Sequence, residues 1–444
     1  MIGGLCFLFL SCSKDFLEKK SDQKLLIPNT LEDFQLLLDN NGVMNRTPGL
    51  GLISSDDFYI TEAGFDNLDE LNQRAYTWGL HGDLGLINSD WRVPYEQIFY
   101  SNIVLHGLAK LGIANNESDQ IKGQALFFRA YALFGLLQEF APPYRRERAS
   151  EQDAVPVPLN MDITSERPVK KVAEVYRQIL EDLMLAEQLL PRTQAIKTRP
   201  SAVAALSLSG RVCLLMGNYR EAEVHLEKVH SEYRRLIDYN TLSSSASRPF
   251  PTDFPTGPGN DEIIFYSPFI NYSFLAYTNT QVRVEKRIVD LYAPNDLRKG
   301  LYFQDRGNDI YTFKGSYSGS RISTLFAGLS TDENYLNYAE VLLRNGKTER
   351  AMQLLEELLV TRYRTGTYSG IQDREETELL SFVLQERQKS LLGKGARWWD
   401  IRRFNHDETD MIRVKKSIKG TDYELDINDK RLQFSFPMDE RAGG

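Results

Sequence analysis

The sequence predicts a mainly α protein, with tetratricopeptide-repeat-like helix pairs as scaffold and a loop-rich region carrying short strands. Three observations predict it. Segments 204–229 and 333–358 align without a gap at an offset of 129 residues. Several stretches repeat apolar residues at three- and four-residue steps, the period of an amphipathic helix. Residues 241–330 break that period with Ser243-Ser244-Ser245, five prolines between 249 and 268, and interleaved Phe and Tyr.

Taken in order, Thr30 is placed to cap a short helix running to Leu38. Residues 41–90 are rich in Gly, Asn and Asp and are expected to be loops with short strands. Trp91 to Leu111 turns helical through Tyr95, Ile98, Asn102 and Leu105. Ile121 to Phe140 is apolar on almost all sides, which predicts a central buried helix, ended by Pro142-Pro143. Val172, Tyr176, Ile179, Leu183, Ala186 and Leu190 mark one helix face closed by Pro191. In the aligned segments a small residue (Gly210, Ala339) is followed after seven positions by Gly217 or Gly346, and after five more by Ala222 or Ala351. That pattern lets two antiparallel helices approach closely around a glycine turn. Helix pairs are thus expected within about 91–232 and 333–404, and short paired strands within 410–436.

The chain opens with an apolar run, Ile2 to Leu10, too short to span a bilayer but suited to a secretory signal. Ser11-Cys12 then reads as a bacterial lipoprotein cleavage site, giving a signal peptide over 1–11, a lipid on Cys12 and a single mature domain over 12–444. No Lys or Arg precedes the run. Of three cysteines, Cys6 would be removed and Cys12 lipidated, leaving Cys213 as a small hydrophobe on a helix face. No disulfide framework results. The chain carries 53 Lys+Arg against 61 Asp+Glu, a net charge of −8, which gives no footprint for nucleic acid. The run Tyr144-Arg145-Arg146-Glu147-Arg148 is short and broken by acid.

No catalytic or cofactor template matches: there is no Walker A loop, no HExxH and no nucleotide fingerprint. Gly315-Ser316-Tyr317-Ser318-Gly319 has Tyr where a nucleophile elbow has Ser. His225 and His230 do not share a helix face. Asp56-Asp57 is the one carboxylate pair to weigh for acid catalysis or calcium, without a motif to support it. No metal site and no cofactor is expected. What remains is aromatic loop surface. Sugar rings stack their C–H faces on Trp and Tyr, while amide side chains hold the hydroxyls. The regions 56–78 and 269–281 offer that mixture. Trp78 is the leading candidate because it stands in a polar loop beside Gly79 and His81, outside any helical period. Tyr76, Tyr59, Tyr272 and Tyr277 are further stacking candidates, with Asn271 and Asn279 as hydroxyl partners. Trp398-Trp399 is expected in the core.

Several ordered motifs together resemble the SusD/RagB family of outer-membrane nutrient-binding lipoproteins of Bacteroidetes. They include Asp15-Phe16-Leu17 and the Trp91…Tyr95…Ile98…Ser101-Asn102 helix. Gly123-Gln124-Ala125-Leu126-Phe127-Phe128-Arg129-Ala130, Val155-Pro156-Val157-Pro158 and Val175-Tyr176…Asp182-Leu183 follow. Met216-Gly217-Asn218-Tyr219, Asp261-Glu262-Ile263-Ile264-Phe265, Asn295-Asp296-Leu297-Arg298 and Glu386-Arg387…Arg397-Trp398-Trp399-Asp400 complete the series. Where the family usually has Glu–Gly before its Arg-Trp, this chain has Lys394-Gly395. The resemblance implies four tetratricopeptide-like helix pairs and a non-enzymatic, lipid-anchored protein at the outer-membrane surface. It also implies an oligosaccharide ligand held by the loop-rich regions at about 41–90 and 241–330, and a SusC-like TonB-dependent transporter as partner. A peptide-binding relative is the alternative, and a carbohydrate-active enzyme a more distant one.

Overall fold

A computed structural model of the chain describes residues 28–80, 88–159, 168–251, 259–319, 322–372, 374–404, 413–426 and 429–436. Cys6, Cys12, the apolar run and polar tether around it, and His81 lie outside these residues. Helix α1 (Leu31–Leu38) starts as Thr30 suggests: the Thr30 hydroxyl accepts from the Asp33 amide, and the Asp33 carboxylate accepts from the Thr30 amide. Then come α2 (Leu50–Ser54), β1 (Phe58–Ile60), α3 (Glu62–Asp66) and α4 (Glu70–Tyr76). Residues 41–80 are therefore more helical than expected. Helices of five to seven residues are too short to show a period, although Thr61 and Asp69 cap α3 and α4 through their side chains.

The scaffold is built from α5 (Ser89–Leu111), α6 (Asn116–Phe140), strands β2 (Asp153–Pro156) and β3 (Val169–Lys171), α7 (Val172–Leu189), α8 (Ala202–Leu215) and α9 (Tyr219–Glu232). Each helix packs on the next. Every residue of α6 from Gly123 to Phe140 is buried, as its all-round apolar sequence implies. Arg129 is its one interior cation. It holds Asp182 of α7 by two bonds of 2.7 Å and Asn102 of α5 at 3.1 Å. One planar fork thus fixes three helices, a geometry that lysine cannot reproduce.

The loop-rich region holds β4 (Ile263–Phe265), β5 (Val282–Val284), α10 (Lys286–Val289), α11 (Arg298–Tyr302), β6 (Phe303–Asp305), β7 (Tyr311–Phe313) and β8 (Leu329–Ser330). Its strands pair two by two: β1 with β5, β4 with β8 and β6 with β7. The chain ends in α12 (Thr331–Arg344), α13 (Thr348–Leu359), α14 (Glu376–Ser390), α15 (Ala396–Phe404) and the hairpin β9 (Val414–Ile418) with β10 (Thr421–Leu425).

About a hundred residues separate the two repeat segments, yet α12 packs directly on α8 and α9. Arg211 pairs with Glu333 at 2.7 and 2.5 Å, Ser207 bonds Asn334, and Asn345 donates to Glu223 at 2.8 Å. Gly217 and Gly346 have φ of +71° and +72°. Each stands just past a helix end, where its amide and the next one donate back to that helix's last turn. Glycine is required there because other residues pay for the left-handed conformation. Gly210 faces its partner helix so closely that a Cβ would come within 2.7 Å of Leu226. Trp398 and Trp399 are buried, with the Trp398 indole donating to the Gln138 carbonyl, and Cys213 is buried in α8. Among the described residues, no helix is long and apolar enough to cross a membrane.

Candidate ligand groove

Three of the seven predicted ligand residues are corrected by burial. Trp78 is 1% exposed and its indole donates to the Ser54 carbonyl at 2.9 Å. The cause is local. Trp78 sits just past the end of α4 with φ +56°; its amide donates to Ala75 and that of Gly79 to Arg74. This left-handed cap turns the ring inward instead of leaving it in a polar loop. Tyr76, also 1% exposed, packs against Phe65 and Phe274. The Lys416 ammonium lies 4.2 Å from the Tyr76 ring centre and 5.2 Å from that of Trp78. Tyr272 is 7% exposed and donates to the Asp90 carboxylate at 2.8 Å. The other Asp90 oxygen accepts the Gly49 and Leu50 amides at the start of α2. Ring faces used up in this way are not available to a sugar.

The remaining four divide. Tyr59 is half-buried on β1 opposite Arg283, but strand alternation sends its neighbour Phe58, not Tyr59, toward the cavity described next. Asn271 is exposed and lies outside that cavity. Tyr277 and Asn279 line it.

The cavity is a groove of about 350 Å³ between the loop 274–282, the β6–β7 hairpin and residues 247–248. That volume falls within the range of small-ligand sites. Its apolar surface comes from Phe58, Phe274, Leu275, Tyr277, Val282, Phe313 and Leu325; Arg248, Asn279, Gln304, Arg306, Thr312 and Lys314 are among its polar groups. Phe58 meets Phe313 edge-to-face, ring centres 5.9 Å apart, which joins the β1–β5 ribbon to the hairpin. The pairing Gln304 with Thr312 sets the hairpin register.

Tyr277 is held rigidly. Its amide donates to the Ser323 carbonyl at 2.6 Å. Its hydroxyl lies in bonding reach of the Ser247 carbonyl at 2.9 Å and of the Lys314 carbonyl. The Arg248 guanidinium sits 4.2 Å from its ring centre. Burial pushes the phenol up to about 12, with Arg248 opposing. Asn279 donates to the Ser273 carbonyl and accepts from the Gln281 amide, so its amide is committed to shaping the loop. Lys314 donates to the carbonyls of Ser244 and Ala246, and burial lowers its pKa.

Sequence reading missed the whole β6–β7 contribution, namely Gln304, Arg306, Thr312 and Phe313. The available signal was Gly307-Asn308-Asp309, a run that tolerates positive φ; all three residues adopt it, at +82°, +53° and +58°.

Asp56 and Asp57 do not reach the groove lining. Asp56 is clasped by Arg397 and Arg287, which hold it down at about 2 against the cost of burial. Asp57 accepts from Gln388, and burial, helped by the Asp56 charge, raises it to about 6. The pair ties the loop after α2 to α10 and α15 through Asp56 and to α14 through Asp57.

Two family models match the chain in order. One, described as "Starch-binding associating with outer membrane", covers residues 15–214, and the SusD family model covers 330–441. The SusD-like protein P2 of Formosa agariphila is 22% identical over 374 residues, covering 72% of each chain. A SusD superfamily protein from Bacteroides fragilis superposes with a TM-score of 0.76 at 18% identity, covering 94% of this chain and 99% of its own. Surface glycan-binding protein A from Bacteroides fluxus gives 0.69 at 16% identity, covering 94% and 97%. Over residues 15–214 and 330–441 the chain is similar to the SusD family.

Proposed function

We propose that this protein is a cell-surface glycan-binding lipoprotein which captures an oligosaccharide in the 274–282 groove and passes it, unmodified, to a SusC-like TonB-dependent transporter. The observation that carries the reading is the groove itself, in which a fixed Tyr277 ring stands among amide, hydroxyl and guanidinium groups. This is the combination that grips a sugar by its apolar face and its hydroxyls. Similarity to the SusD family over residues 15–214 and 330–441 supports a glycan as the ligand. Binding without cleavage is favoured because glycoside hydrolysis canonically uses two flanking carboxyl groups, and among the described residues the groove lining includes neither Asp nor Glu.

Incubation with a glycan panel tests this. Retention of a glycan with unchanged chain length supports the reading; release of shorter products contradicts it. Binding of peptides alone would move the protein to the peptide-binding branch of the reading. For the anchor, lipidation at Cys12 predicts that Cys12→Ser releases the protein from membranes into the soluble fraction. Unchanged membrane retention would contradict it.

A further inference from the structure

Resting on the groove as the ligand site, a second property follows from its charge. The chain has eight more acidic than basic residues, yet among the described residues the groove is lined by Arg248, Arg306 and Lys314 and by no carboxylate. Inside this protein, cations are typically matched. Arg298 holds Asp296 and Glu386, Arg362 holds Glu262, Arg403 holds Glu340 and Asp400, and Lys394 holds Asp332. The groove cations differ: among the described residues their hydrogen bonds go to neutral oxygens, and Arg248 also lies over the neutral Tyr277 ring. Arg248 donates to the Ile322 and Gly319 carbonyls. Lys314 donates to those of Ser244 and Ala246. Arg306 donates from Nε to the Thr312 hydroxyl at 3.1 Å, and it is exposed.

Neutral acceptors hold these side chains in place without cancelling their charge. A carbonyl-bound guanidinium beside a partly enclosed apolar wall projects its field into the cavity, where screening by water is reduced. The hairpin acid beside Arg306 in sequence stands outside the groove lining. Asp305 turns its carboxylate to the Gly307 amide, on the strand position between the groove-lining Gln304 and Arg306.

We infer that the groove selects anionic oligosaccharides, sugars bearing carboxylate or sulfate groups, over neutral ones. Tyr277 supplies the stacking surface. Arg306 supplies the free fork for a planar or tetrahedral anion, while Arg248 and Lys314 set the local potential.

The experiment uses the purified protein and paired probes: oligogalacturonides with their carboxyl-reduced counterparts, and sulfated galactan oligosaccharides with their desulfated counterparts. Affinities are measured at low and high salt for wild type, Arg306→Gln and Tyr277→Ala. The inference predicts that at least one acidic probe binds ten times or more tighter than its neutralised counterpart. That advantage should shrink as salt rises and fall about tenfold in Arg306→Gln, the scale of one lost charge-assisted hydrogen bond. The carboxylate and sulfate arms identify which anion is preferred. Equal binding of acidic and neutralised partners, with both weakened by Tyr277→Ala, overturns the charge selectivity and leaves the groove standing. Acidic binding that neither variant alters overturns the groove assignment. Absence of binding by every probe counts against the inference.

Discussion

Trp78 holds a left-handed backbone that costs a non-glycine residue about 1–2 kcal/mol, so burial of its ring must offset more than that. Replacing it with Ala keeps the backbone cost and empties a large buried volume. We expect Trp78→Ala to lose about 3–5 kcal/mol of unfolding free energy, read from denaturant midpoints, with no specific effect on the ligand groove. Lys416 is the other residue whose environment makes a measurable promise. Burial outweighs the attraction of Asp56, Glu285 and Asp57 and lowers it to about 7; its ammonium donates to the Ile53 carbonyl at 2.7 Å. An unfolded lysine keeps its proton to about 10.4. Between the two values the unfolded state binds more protons, so this residue makes stability rise with pH across that window. The difference in stability between wild type and Lys416→Met should therefore shift in favour of wild type from pH 7 to pH 9.5. A difference that stays constant would refute the assignment.

At the scale of elements, the two repeat turns share one geometry. Around Gly217 and Gly346 no atom would meet an added Cβ within 4 Å, so only the backbone resists substitution. Gly217→Ala and Gly346→Ala should each cost about 1–2 kcal/mol, and thermal unfolding of the two variants checks this. Such elements were legible in the sequence because helices of twelve to twenty-five residues show a period, and glycine at a helix end has a fixed meaning. α2, α3 and α4 were not, being shorter than one readable window. The aromatic candidates failed for a related reason. Whether Tyr76, Trp78 or Tyr272 faces solvent depends on contacts with Ser54, Phe274 and Asp90, remote in sequence, and composition around each residue carries no record of them. Tyr277 and Asn279 line the groove because their loop is tethered by Ser323 and Ser247.

For the whole molecule, the motifs that carried the family resemblance are the ones that cross-link helices. Arg129 with Asp182 and Arg387 with Asp400 are buried charge pairs. Breaking one partner of such a pair is costly, so these residues identify the scaffold well and the ligand poorly. The groove is instead assembled from short strands and loops drawn from residues 58 to 325, and its chemistry emerges only when they meet. The central claim is that this groove takes a sugar on Tyr277. Isothermal titration of the tightest-binding glycan of the panel into wild type and Tyr277→Ala tests it most directly. Loss of the stacking platform should cost about 1–3 kcal/mol, on the scale of flat rings stacked on aromatic faces, while circular dichroism shows the fold retained. An unchanged affinity in a folded Tyr277→Ala variant would contradict the account.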